Sequence, residues 1–129
     1  MLICLMFNIY WIMAFFEELE VWQDAKTLTI SIYQLMSDNR DYGFRDQIQR
    51  ASVSIMNNIA EGSESGSNAT NIRFLQIAIG SCAEVRSMLY LASELHYISN
   101  ETKDQLLALS RKISAFLNKL IAYNKTNIK

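Results

Sequence analysis

The stretch from Gln47 to Gly62, QIQRASVSIMNNIAEG, leaves little choice of local structure. Ile48, Ala51/Ser52, Ile55 and Ile59 recur at spacings of three and four, so they line one face of a helix. Gln47, Arg50, Ser54, Asn57 and Glu61 repeat that spacing one residue out of step, which sets a polar ridge about 100° round the same helix. Gly62 stands where a left-handed cap would end it. The pattern describes a helix that buries one face and presents a second, polar face with something to meet.

Nothing elsewhere interrupts this style of folding. The chain has no proline and only four glycines, and both facts favour long helices. Four helical segments are expected, near residues 16–37, 44–61, 69–97 and 100–123. The first places Leu19, Trp22, Ala25, Leu28, Ile32 and Leu35 on one side, with Glu17, Glu18 and Glu20 in its first turn, where the helix dipole favours negative charge. The third carries Phe74, Ile77, Ser81, Met88, Leu91 and Leu95. The small residues Gly80, Ser81, Cys82 and Ala83 at its middle predict close approach of a neighbouring helix. The fourth carries Leu106, Leu109, Ile113, Phe116, Leu120 and Tyr123 at three-four spacing, with Ser99 as its cap. Turn-forming residues fill 37–43, and 62–68 is a polar linker. Four helices with short connections and no strand pattern predict an all-α, antiparallel, up-down-up-down four-helix bundle over residues 16–123. Residues 1–15 form an apolar extension, and 124–129 a tail.

The apolar start, Met1 to Phe16, is shorter than a standard membrane span. It lacks the basic region and cleavage site of a signal peptide. Met13 directly precedes the first helix, so one reading makes residues 1–12 an upstream mis-start; a hydrophobic anchor or an extension of the first helix is the other. Two cysteines, Cys4 and Cys82, make no disulfide framework, and a reducing cytoplasm is the simpler expectation. Formal net charge is −1, which gives no overall drive toward nucleic acid. The distribution is uneven, since residues 101–129 hold six basic and two acidic side chains.

Catalytic and metal chemistry find no constellation. His96 is the only histidine, and it suits the end of the third helix better than a ligand role that would need partners. The run Gly62-Ser63-Glu64-Ser65-Gly66 lacks the lysine-hydroxyl ending of a phosphate loop and follows a helix, so it reads as a connector. The bundle lacks the Glu-x-x-His pairs of carboxylate metal sites. Trp22 falls on the apolar side of its helix, where packing is its role. The expectation is a non-enzymatic protein with no cofactor, no small-molecule substrate and no membrane attachment. Arg111, Lys112 and Lys119, with Lys125 and Lys129, form the candidate nucleic-acid footprint, against a plain solvated face. Val21, Ile30, Tyr33, Val53, Ile79 and Tyr90 are apolar positions beyond the seams. A bundle this small has much surface for its volume, so they predict self-association.

Four landmarks in order carry a family resemblance. They are FEELEVWQ (16–23), Gln47-Ile48-x-Arg50-Ala51-x-x-Ser54-Ile55-x-x-Asn58-Ile59-Ala60-Glu61-Gly62, Arg73-Phe74-Leu75-x-Ile77-Ala78-x-Gly80-Ser81-x-x-Glu84, and Leu95-x-Tyr97-Ile98-Ser99. Through them the chain resembles the bacterial four-helix-bundle proteins encoded in intervening sequences of 23S ribosomal RNA. The resemblance implies a ring-like homo-oligomer of five subunits. It places Arg50, Asn58, Glu61, Arg73 and Glu84 at inter-helix or inter-subunit contacts, with ion pairs between the second and third helices. A related branch, the accessory proteins of diversity-generating retroelements, implies binding to RNA, DNA or a reverse transcriptase through a basic surface. This chain has Ser67-Asn68-Ala69-Thr70-Asn71 where many relatives carry basic residues. A protein-binding scaffold without nucleic-acid contact is therefore the alternative.

Overall fold

The computed structural model describes residues 15–128. The expectations about Met1, Met13, Cys4 and Lys129 lie outside the described residues. A single 3-10 turn, Phe16–Glu18, leads into α1 (Glu20–Met36), α2 (Tyr42–Ser63), α3 (Asn68–Glu94) and α4 (Asn100–Thr126), with no strand among the described residues. The helices form an all-α bundle. Each packs on two neighbours: α1 and α3 occupy opposite corners, and both touch α2 and α4.

Side-chain pairs give the directions. From α2 to α3, Gln47 meets Glu84, Ser54 meets Ser81, and Gly62 lies against Asn71. From α3 to α4, Asn68 meets Asn127, Arg86 meets Ser110, and Ser93 meets Asn100. Numbers rise on one helix as they fall on the other, so both pairs run antiparallel.

Local chemistry sets most of the boundaries. Asp41, Ser67 and Ser99 each accept a backbone N–H three residues on, at Phe44, Thr70 and Thr102. These caps satisfy amides that have no partner in the first turn. The first helix starts later than the acidic run suggests, because Leu19 is extended (φ −73°, ψ 124°). Its C-terminal neighbour segment is pinned from afar: the Tyr97 hydroxyl donates to Asp41 Oδ2 at 2.8 Å, and the Phe44 and Tyr97 rings meet edge to face. That bond to a carboxylate holds the phenol proton in place and raises the pKa of Tyr97.

Three features depart from the periodic reading. The third helix stops at Glu94, where His96 adopts φ 61° and the Tyr97 N–H turns back to the Ala92 carbonyl. This is a Schellman stop with histidine in the position that usually holds glycine. Gly62 is not a left-handed cap. It is a buried residue inside α2, and Gly66 (φ 80°) takes the left-handed turn instead. The fourth helix runs on to Thr126, with Asn124 buried inside it.

The requirement at Gly62 is space. A Cβ there would sit 2.5 Å from Asn71 Oδ1 and 3.0 Å from Phe74 Cβ. In an open helix alanine would gain about 1 kcal/mol over glycine, but overpacking costs about 1–3 kcal/mol. Gly62→Ala is expected to lower the urea midpoint, by about 1–2 kcal/mol in stability. A rise in the midpoint would show that the α2–α3 approach is not tight.

The core also corrects the choice of face. In α2 the buried residues are Phe44, Ile48, Ala51, Ser52, Ile55, Ile59 and Gly62, which includes the expected seam. In α1, Val21, Thr29 and Met36 are buried while Leu35 is exposed. The Thr29 hydroxyl lies 2.8 Å from the Ala25 carbonyl and 3.1 Å from the Ser52 carbonyl, so its proton ties α1 to α2 without leaving a buried polar atom unpaired. In α4 the seam is Leu106, Leu107, Ser110, Ile113, Leu117, Ile121 and Asn124. Leu109, Phe116 and Leu120 are half-buried beside it, and Tyr123 is exposed. In α3 the inward stripe is centred on Leu75, Ala78, Cys82, Val85, Leu89 and Ala92, and Ser81 and Met88 of the expected seam are buried beside it. Ile77, Leu91 and Leu95, expected inside, are 46%, 48% and 44% exposed.

Candidate interaction surface

The outward stripe of α3 is the first component of a surface. Ile77, Glu84 and Leu91 recur every seven residues, and Gly80 and Leu95 fall on the same line of the helix. Beyond its own helix backbone and chain neighbours, Gly80 meets no atom of the described residues within 4 Å of where a Cβ would be. The close neighbour expected at this small residue is absent among the described residues. Ser81 and Cys82, beside it, do face neighbouring helices.

The polar ridge of α2 borders this stripe. Ser54 Oγ and Ser81 Oγ are 2.8 Å apart, and Asn58 Nδ2 donates to the Ser54 carbonyl and hydroxyl at 2.8 and 3.0 Å. Asn58 therefore orients Ser54 within α2. Gln47 Nε2 donates to Glu84 Oε1 at 3.3 Å. The serine and asparagine contacts are short, and Gln47 and Glu84 meet beyond them. Arg50, Glu61, Arg73 and Glu84 are exposed, and none has an ion-pair partner among the described residues. The ion pairs expected between the second and third helices are not formed within the chain. Arg50 and Glu84 instead share the wall of an open depression of about 370 Å³ with Ser54 and Ser81. The face thus combines exposed aliphatic side chains, a bare glycine and uncompensated charges of both signs.

A second apolar face lies at the opposite corner. On α1, Ile30 and Tyr33 are 47% and 45% exposed, and their spacing of three puts them on one side. Val21, expected among the surplus apolar positions, is buried instead, and Val53 and Ile79 are half-buried.

The structure separates the basic residues of α4. Lys112 sits 3.0 Å from Asp24 and 3.4 Å from Glu20 on α1. The Asp24 carboxylate holds the ammonium proton in place and raises its pKa, with Glu20 adding to the effect. Arg111 Nη2 donates to the Tyr90 hydroxyl on the other side of the helix, at 3.0 Å. The two side chains reach toward different neighbours. Lys119 and Lys125 remain exposed, with no ion-pair partner among the described residues. No acidic residue follows Asp104 in the sequence.

Elsewhere, polar groups are structural. Arg86 Nη1 donates to Ser110 and Ser114 across α3 and α4, and Ser110 donates to the Cys82 carbonyl. Burial pushes the Cys82 thiol up, away from the thiolate a nucleophile needs. Among the described residues, no group of three His, Cys, Asp or Glu is placed to hold a metal ion. No helix among them is long and apolar enough to cross a membrane.

The profile of the 23S rRNA-intervening sequence protein family matches residues 17–119, which spans α1 to α3 and most of α4. The chain belongs to this family. A crystal structure of a protein of unknown function from Bacteroides thetaiotaomicron, assigned to the S23 ribosomal protein family, is similar at 26% identity with a TM-score of 0.73. The similarity covers 78% of this chain and 97% of that one. No curated protein matches the chain. Membership fits the landmarks Gln47–Gly62 and Arg73–Glu84, whose exposed residues form the α2/α3 face. Sequence reasoning found these residues but missed that Ile77, Leu91 and Leu95 join them outside.

Proposed function

We propose that this member of the 23S rRNA-intervening sequence protein family is a non-enzymatic assembly protein, and that copies of it close into a ring. The outward stripe of α3 supports the reading: aliphatic side chains on either side of Gly80, between unpaired arginines and glutamates. A second copy supplies what that face lacks, apolar cover and opposite charges. Five copies is the number implied by the family resemblance. An odd-numbered ring requires heterologous interfaces, in which each subunit uses two different patches. Ile30 and Tyr33 on α1, at the opposite corner from α3, provide the second patch. The ring then forms head to tail, with the α3 face of one copy against the α1 face of the next.

Association with RNA is the second reading. The observation in its favour is the acid-free stretch after Asp104, with Lys119 and Lys125 exposed. A ring repeats these lysines round one rim, which turns a modest local charge into a continuous one. Binding of a structured RNA is then expected to weaken steeply with salt. The double change Lys119→Ala and Lys125→Ala should reduce the log–log salt slope by about two and leave the assembly intact. No binding at low salt, or a slope the double change does not alter, would leave a protein-binding scaffold. Lys112 is excluded from the test because it is paired with Asp24.

A further inference from the structure

A pocket of about 390 Å³ opens at the end of the bundle where α2 passes into α3 and α4 finishes. Leu19, Ile59, Leu75 and Leu120 form its apolar wall, residues of the 62–68 connector form a polar rim, and no charged side chain lines it. Leu19 and Leu120 are only half-buried by the rest of the subunit. An apolar cavity of about 150 Å³ takes one benzene, so this space admits about two side chains of ring size. Aliphatic surface left in water forgoes roughly 25 cal/mol for each Å² that an apolar occupant would cover.

The chain itself carries an occupant of that chemistry, attached beside the pocket. Residues 1–14 hold no charged side chain, and Asn8 is the one residue among them that is not aliphatic, aromatic or sulfur-containing. They lead into Phe15, which is 67% exposed and stands four positions before Leu19 on the pocket wall. An extended residue spans at most about 3.6 Å, so Phe15 lies within about 15 Å of that wall. So short a tether holds the segment at an effective concentration in the millimolar range. An apolar run of roughly 10–14 residues is short for a membrane span and suits burial against protein. An uncharged occupant also suits a lining that has no charge to compensate, and hydroxyls and an amide at the rim (Ser63, Ser65, Asn68) are within the lining to meet backbone groups of an entering chain. We propose that the apolar segment before Phe15 docks into this pocket of its own subunit, with large side chains set against Leu19, Ile59, Leu75 and Leu120. The pocket is then a receptor for the chain's own N-terminal segment. The proposal rests neither on the ring, whose faces are the α1 patch and the outward stripe of α3, nor on RNA binding.

The test reads Trp11, which lies in the segment. In the full chain carrying Trp22→Phe it is the only tryptophan. Its emission should be blue-shifted and resist quenching by acrylamide, without lipid and without dependence on protein concentration. Leu120→Asp places a carboxylate in the pocket wall, which an apolar occupant would bury without a partner. It should shift the docked-to-free ratio at least about tenfold toward free, seen as a red shift and restored quenching, while circular dichroism shows the helices intact. Leu19→Asp is the second variant, read in the same way. Leu109→Asp changes another half-buried leucine, outside the pocket lining, and should leave Trp11 protected. Leu91→Lys should leave it protected too, because the docking is within one subunit. A red-shifted, freely quenched Trp11 in the parent would overturn the proposal. So would protection indifferent to both pocket changes, or protection lost with Leu91→Lys, which would put the segment at a contact between copies. Protection that arises only with added lipid vesicles would overturn it in favour of a membrane surface.

Discussion

Leu91→Lys is expected to break the proposed ring into single, fully helical subunits. Leu91 is 48% exposed in the lone subunit, so a lysine there changes the stability of the bundle by no more than about 0.5 kcal/mol. In the proposed interface the same lysine is buried without a partner. An uncompensated charge of that kind costs about 3–5 kcal/mol, which weakens each contact more than a hundredfold. Tyr33→Lys should act equally from the other side, since Tyr33 lies in the α1 patch and is 45% exposed. Circular dichroism checks the helices and light scattering the mass. Dissociation accompanied by loss of helix would mean that the residues serve the fold and not the assembly.

Leu89→Ala is expected to do the opposite. Leu89 is 1% exposed, two residues from Leu91 on the inward stripe of α3. Removing its side chain deletes buried methyl groups and leaves a void, at a cost of about 2–5 kcal/mol. The urea midpoint should fall by that loss divided by the slope, with the slope itself little changed, and the effect should persist in the Leu91→Lys background, where no interface remains. A loss below about 1 kcal/mol would show that α3 is rotated from the orientation described, with the 77–91–95 stripe inside.

This pair of residues also shows where the sequence was legible. In α2, aliphatic residues occupy one side and polar residues the other, so periodicity alone identified Ile48, Ile55 and Ile59 as core. In α3, leucine, isoleucine and methionine populate two stripes, and a period of 3.6 cannot rank them. Burial was decided by small residues that let helices approach: Ala78, Cys82 and Ala92 face neighbours, and none of them is conspicuous by hydrophobicity. The caps Ser67 and Ser99 act through local hydrogen bonds, and Ser99 was readable for that reason. Gly62 was misjudged because two physical demands select glycine, a positive φ and a lack of room. Only the neighbouring helix shows which applies. Asn124 left a trace, since it continues the spacing of Ile113, Leu117 and Ile121 into the last turn.

Mixing the two lysine variants tests the head-to-tail assembly most directly. The Leu91→Lys subunit retains an intact α1 face, and the Tyr33→Lys subunit retains an intact α3 face. One productive interface can then form, and it cannot propagate. Light scattering of the equimolar mixture should give a particle of two chains, twice 14.8 kDa, while each variant alone stays at one chain and the unchanged protein forms a ring. A mixture that remains at one chain, or an unchanged protein that is itself monomeric at micromolar concentration, would contradict the assembly.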